Sequence, residues 1–231
     1  MTSIVRDILC SVNVWDVATG RVEKTVEAGR EGITSLAFSP DGSWLAFGRK
    51  DMDVVCLSGS YLDGHSKPVY SVAFSADGKL LASGGQDGTV KLWEMATRTA
   101  QTTLKAHSGT VRSLAFSSDG RWLASGGEDK TVKLWDVATG QLSADLPGCS
   151  YMVTAVGFSP DAKRLVAGCS DYRHWAIILW DMTKGGSQST LVDGSDEGIK
   201  GLGFAFSPDG KLLASVSSCD SAVRIWDVSG R

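Results

Sequence analysis

His107, Ser125 and Asp129 supply the side-chain types of a hydroxyl nucleophile, its general base and the carboxylate that orients that base. The same three types recur at His65, Ser83 and Asp87, and each Asp is followed six positions later by a tryptophan, Trp93 or Trp135. That duplication argues against hydrolysis. An acyl-transfer enzyme needs one nucleophile in one exposed, strained place, and a second copy 42 residues away serves no reaction. Cys149, Cys169, His174 and Cys219 lack the paired spacing of a zinc site, so no metal is expected. Gly84-Gly85 and Gly126-Gly127 sit inside a repeated hairpin, not in a phosphate-cradling loop, so no nucleotide cofactor is expected either. The chain does not read as an enzyme.

What must position these residues is a repeat of about 42 residues. Val69 to Phe74 leads into Asp77-Gly78, then Leu80 to Asp87, then Val90-Lys91-Leu92-Trp93-Glu94. The order returns at Val111 to Asp136, Val153 to Asp181 and Ile199 to Asp227, and an earlier copy runs from Ile33 to Leu57 with Leu57 in the Trp position. Three runs rich in Val, Ile, Leu and Phe, plus a weaker fourth such as Gln141 to Leu146, predict four strands per unit. Ser39-Pro40-Asp41-Gly42 and Ser207-Pro208-Asp209-Gly210 read as hairpin turns, with Pro pre-setting φ and Gly taking the positive φ. A four-stranded unit exposes both faces, and stacking units about an axis buries them. The expected fold is all-β and forms a single domain over residues 1–231.

Composition narrows the partners. At 42% hydrophobic and 21% charged residues the chain can bury a core, and its net charge of −3 with scattered Lys and Arg argues against nucleic-acid binding. Met1 to Cys10 is too short and too charged for a signal peptide, and no apolar run reaches a membrane span. Five cysteines at irregular spacing (Cys10, Cys56, Cys149, Cys169, Cys219) suit reduced thiols better than a disulfide framework. These features point to the cytoplasm, with no membrane association.

Gly64-His65, Leu-Ala-Ser-Gly-Gly, Thr-Val-Lys-Leu-Trp and Trp135-Asp136-Val137-Ala138-Thr139-Gly140 resemble WD40 repeats, and the resemblance covers about Val12 to Val228. The near-identical repeats beginning near His65 and His107 resemble recently duplicated bacterial arrays, which are often attached to signalling or defence enzymes. The resemblance implies a β-propeller of four-stranded antiparallel blades, with repeats at about 27–60, 61–104, 105–146, 147–192 and 193–231 and a partial blade at 11–26. Five blades are expected, with six as the alternative, or a partial propeller completed by another chain. In the family an N-terminal strand completes the last blade, and Val22 to Val26 is the segment placed to do so. The resemblance also implies that the Trp indole, Ser, His and Asp of each repeat form a structural hydrogen-bonded chain. The full sets are His65, Ser83, Asp87 and Trp93, and His107, Ser125, Asp129 and Trp135. Gly29, Cys149 and Ser195 replace His elsewhere, so those blades should be looser.

Family contacts fall on either side of the first-strand Val and before the turn Asp. Carried over, these positions are Gly32, Thr34 and Lys50; Pro68, Tyr70 and Gln86; Thr110, Arg112 and Glu128; Met152, Thr154 and Ser170; and Gly198, Lys200 and Cys219. The fourth repeat departs most, with nine residues from Asp171 to Trp180 where the others have six. Tyr172, Arg173 and Trp175 lie in the added stretch, and these are side-chain types enriched at binding hot spots. The expected partner-binding surface is Tyr70, Arg112, Glu128, Met152, Tyr172, Arg173 and Trp175; the competing reading has Trp175 folding back onto its own blade. Function is expected to be that of a non-catalytic scaffold or adaptor for other proteins. The alternative is a sensor or regulatory subunit of a larger signalling or defence assembly, favoured by a start in mid-blade and a last blade without its fourth strand.

Overall fold

Alternating apolar residues and Ser-x-Asp-Gly turns, with Ala162 in place of the glycine in one of them, fold each repeat into an antiparallel sheet. The computed structural model describes residues 10–28, 32–51, 54–56, 60–171, 174–184, 187–195, 202–217 and 223–230. Strands β1 (Ser11–Asp16) and β2 (Arg21–Glu27) pair as a two-stranded sheet. Next come β3 (Ile33–Phe38), β4 (Leu45–Arg49), β5 (Val54–Cys56) and β6 (Ser60–Leu62), ordered as in sequence. The third sheet holds β7 (Val69–Phe74), β8 (Leu80–Gly85), β9 (Thr89–Glu94) and β10 (Thr99–Lys105). The fourth holds β11 (Val111–Phe116), β12 (Trp122–Gly127), β13 (Val132–Asp136) and β14 (Gln141–Leu146). The fifth holds β15 (Met152–Phe158), β16 (Arg164–Ser170), β17 (His174–Asp181) and β18 (Ser187–Ser195). The sixth has three strands, β19 (Leu202–Phe206), β20 (Leu212–Ser217) and β21 (Val223–Asp227). The first strands β3, β7, β11, β15 and β19 neighbour one another in that order. Phe74, Phe116, Phe158 and Phe206, each ending one of four such strands, converge on one cavity of about 300 Å³. The sheets therefore fan about a shared axis, as propeller blades do.

Burial occurs between consecutive sheets, which is where the repeat places its apolar residues. Ala82, Val90, Leu92 and Leu104 of the third sheet pack on Val111, Leu114, Leu123 and Trp135 of the fourth. Ala124, Val132 and Leu146 pack in the same way on Val153, Val156, Leu165 and Trp180 of the fifth. Serines on the first strands add a polar tie: Leu114 N donates to Ser71 Oγ at 3.0 Å, and Val156 N donates to Ser113 Oγ at 3.0 Å. The first glycine of each Gly-Gly pair permits this approach. A Cβ on Gly84 would stand 2.5 Å from Val111 Cγ1, and one on Gly126 would stand 2.4 Å from Val153 Cγ1. Replacing Gly126 with Ala should therefore force the fourth and fifth sheets apart at a cost of about 1–3 kcal/mol. Urea unfolding measures this as a lowered midpoint.

Two expectations need correction. Val22 to Val26 does not complete the last sheet; β2 pairs with β1, with Val12 opposite Val26 and Trp15 opposite Val22. A hairpin closed across Val17–Gly20 needs only a short loop, whereas joining β21 requires closure over most of the chain. The hairpin is held by Asp16, which accepts from Thr19 N at 2.7 Å, and by Val12 and Ala28 packing on Leu45 and Phe47. The cysteines are not all reduced thiols, because Cys149 and Cys169 form a disulfide with Cα atoms 5.8 Å apart. Irregular sequence spacing hid this pairing. The register of β15 with β16 sets Val153 opposite Cys169, and Cys149 lies just ahead of β15.

Candidate functional site

The duplicated His, Ser, Asp and Trp sets form two equivalent chains of hydrogen bonds. Trp93 Nε1 donates to Ser83 Oγ at 2.8 Å, and Trp135 Nε1 donates to Ser125 Oγ at 2.9 Å. A serine oxygen that accepts from an indole gives its own proton onward, to His65 Nε2 at 2.8 Å and to His107 Nε2 at 2.8 Å. The opposite ring nitrogens then donate to Asp87 Oδ2 at 3.0 Å and to Asp129 Oδ1 at 2.9 Å. Asp87 also accepts from Ser66 N and Thr89 N at 3.0 Å each, which ties the chain to the turn. A small residue must face the imidazole, since a Cβ on Gly85 or Gly127 would fall 2.6 or 2.5 Å from the histidine Nδ1. This is the task of the second glycine in each pair.

The same geometry rules out nucleophilic chemistry at these serines. Ser83 and Ser125 are 0% exposed, and each hydroxyl oxygen is already engaged by an indole N–H. No substrate carbonyl reaches them. Burial pushes both imidazoles below their ordinary value, against the opposing pull of Asp87 and Asp129. Burial pushes the Asp87 carboxyl upward, but hydrogen bonds from Ser66 and Thr89 outweigh it and hold the group at about 2. A histidine depressed in the folded state contributes stability that is complete above about pH 6.5, its unfolded value, and falls as pH drops toward its folded value. The depressed aspartate contributes stability that is lost as pH falls from about 4 through 2. Thermal melts should show two successive declines, one beginning as pH drops below about 6.5 and one below about pH 4.

At the rim where β7, β11 and β15 begin, the residues flanking the first-strand Val meet those preceding the turn Asp. Gln86 N donates to Pro68 O at 2.8 Å, Glu128 N donates to Thr110 O at 2.9 Å, and Met152 lies opposite Ser170. The Arg112 guanidinium stacks 4.8 Å over the Tyr70 ring and donates through Nε to Glu128 Oε1 at 2.8 Å. One cluster thus bridges the third and fourth sheets. Burial raises the Glu128 carboxyl, but Thr110 and Arg112 outweigh it and hold it below its ordinary range. The Arg112 and Glu128 side chains remain 35% and 33% exposed, which leaves this polar-aromatic cluster open to a partner.

The added stretch of the fourth repeat behaves differently from its expected role. Trp175 is not a surface anchor: it is 4% exposed, lies on β17 opposite Ser170, and packs on Val166, Ile177, Leu179 and Leu213. The insertion lengthens β17, and strand alternation then turns Trp175, Ile177 and Leu179 toward the sixth sheet. Tyr172 and Arg173 lie outside the described residues, as do Gly198, Lys200 and Cys219. Asp171 N donates to His174 O at 2.9 Å, and His174 N donates to Asp171 Oδ1 at 2.7 Å. His174 stacks on Tyr151 with ring centroids 5.1 Å apart, a pair the sequence reading passed over although both residues flank contact positions. Among the described residues, no three His, Cys, Asp or Glu side chains gather as metal ligands, and no helix is long and apolar enough to cross a membrane.

A family model described as WD domain, G-beta repeat matches residues 20–61, 56–94, 98–136, 140–181 and 186–227. Its segments are staggered by one strand against the sheets: residues 98–136 hold β10 of the third sheet and β11, β12 and β13 of the fourth. Each repeat therefore stitches two neighbouring sheets covalently. No curated protein matches the chain.

Proposed function

As this chain belongs to the WD40-repeat family, whose members serve in general as non-catalytic protein-interaction scaffolds, we propose that it is an adaptor that binds other proteins across the rim where β7, β11 and β15 begin. The observation that carries this reading is the half-exposed Tyr70–Arg112–Glu128 cluster. Loops on a rigid scaffold are where recognition concentrates, and an Arg pre-oriented by a ring and a carboxylate loses little entropy on docking. Met152 extends the same rim, and Tyr151 and His174 lie beside it. Tyr172 and Arg173 remain part of the proposed surface from their place in the sequence. The proposed partners are proteins and not nucleic acid or membrane, in keeping with a net charge of −3, and the proposed compartment is the cytoplasm. Affinity capture with the full chain from its native host, read by mass spectrometry, tests the proposal. Recovery of defined proteins at near-stoichiometric amounts supports it, and recovery of none refutes it.

A second reading, a regulatory subunit of a larger assembly, draws on a row of exposed apolar residues in the sixth sheet. Val216, Val223 and Ile225 are 45%, 64% and 61% exposed, more than isolated surface hydrophobes require. Light scattering on the eluting chain separates the two. A monomer favours the adaptor, and an obligate oligomer favours the subunit.

A further inference from the structure

The fifth sheet lacks the hydrogen-bonded chain of its two predecessors. Ala167 stands where they have Ser83 and Ser125, Cys149 stands in the histidine position, and the Trp180 indole N–H is buried with no hydrogen-bond partner. Yet Trp180 is 0% exposed and packed as tightly as Trp93 and Trp135. What occupies the imidazole's place is the Cys149–Cys169 disulfide. Cys169 replaces the second glycine of the pair, a position where any side chain collides with a histidine, since a Cβ on Gly127 would fall 2.5 Å from His107 Nδ1. The two cysteines are therefore tolerated only together: the loss of the imidazole makes room for Cys169, and Cys169 supplies the bond that the imidazole no longer makes. The β3–β6 sheet shows the same interdependence with other chemistry. There Arg49 takes the second-glycine position and pairs with the turn Asp51, while Gly29 stands in the histidine position of the sequence.

We propose that the Cys149–Cys169 pair is a redox latch, a covalent substitute for the imidazole–hydroxyl tie that fastens the rim of the fifth sheet only when oxidised. The hydrogen-bonded chains of the third and fourth sheets are indifferent to thiol reductants, so opening the latch loosens one sheet and leaves its neighbours fast. A small dithiol opens it by two exchanges. Its thiolate attacks Sγ of Cys149, the less buried of the two residues, and releases Cys169 as a thiolate that takes up a proton. Its second thiol then attacks the mixed disulfide at the reductant's own sulfur, releasing the Cys149 thiol. The dithiol leaves as its cyclic disulfide, having passed two electrons and two protons to the pair.

Hydrogen exchange on the full chain, with and without dithiothreitol, tests the latch, with cysteine alkylation and mass spectrometry reporting the state of the pair. Reduction should speed amide exchange in β15 and β16 at least about tenfold and leave β7, β8, β11 and β12 unchanged. Cys149→Ser/Cys169→Ser should show the fast exchange with or without the reductant. Cys149→His/Ala167→Ser/Cys169→Gly, which rebuilds the polar chain to Trp180, should show slow exchange that dithiothreitol does not alter. Two results would overturn the proposal: both thiols alkylated in the air-oxidised protein, or exchange in β15 and β16 unchanged once mass spectrometry shows the pair reduced. Neither result touches the adaptor reading, which is tested by partner capture.

Discussion

Trp135→Ala is expected to cost about 3–5 kcal/mol, enough to unfold the fourth sheet of a protein of ordinary stability. The indole is 6% exposed and lies between sheets, against Ala82, Val90, Leu92 and Leu104 of the third. Its removal leaves an inter-sheet void and strips Ser125 of its donor. The smaller substitution separates these contributions. Trp135→Phe keeps much of the packing and removes the N–H, so its cost of about 1–3 kcal/mol reflects the disrupted chain to Ser125 and His107. Trp180→Phe should cost less, because the N–H it deletes has no partner to lose. Chemical denaturation of the three variants gives the ordering Trp135→Ala, Trp135→Phe, Trp180→Phe from most to least destabilising.

Arg112→Ala and Tyr70→Ala are each expected to weaken partner capture at least about tenfold while leaving the melting temperature within about 3 °C of wild type. The two residues act through one cluster, since the guanidinium rests on the ring and reaches Glu128. Their effects should therefore be less than additive in the double variant. Arg112→Lys should fall nearly as far as Arg112→Ala, because an ammonium neither stacks as a plane nor forks to Glu128. The partner's dissociation rate, read by surface plasmon resonance, carries most of the change. A variant that binds normally would remove the cluster from the interface.

The sheets and their order were legible because a 42-residue period, alternating apolar runs and Asp-Gly turns all specify the same local structure. The tetrads were legible for a similar reason: a polar set that recurs in register must satisfy itself locally. Partnerships decided by three-dimensional neighbours were not. Whether β2 joins β1 or β21 is a competition between a short loop and a long closure, and composition carries no trace of the outcome. Trp175 has the side-chain type of a binding anchor, but strand alternation beyond the insertion turned it into the core. Cys149 and Cys169 look unrelated along the chain and become neighbours only through the register of β15 with β16. The Tyr151–His174 stack joins rings 23 residues apart along the chain and appears only in the fold.

The underlying claim is that Ser83 and Ser125 fasten each sheet internally, holding its tryptophan to its histidine, and do not react. Thermal melting of Ser83→Ala and Ser125→Ala side by side tests it most directly, because Ala in place of a reactive nucleophile leaves stability unchanged or raises it. Both variants should melt lower by a similar amount, about 5–10 °C, since each loss orphans an indole N–H and an imidazole nitrogen. A melting temperature unchanged or raised in either variant would contradict it.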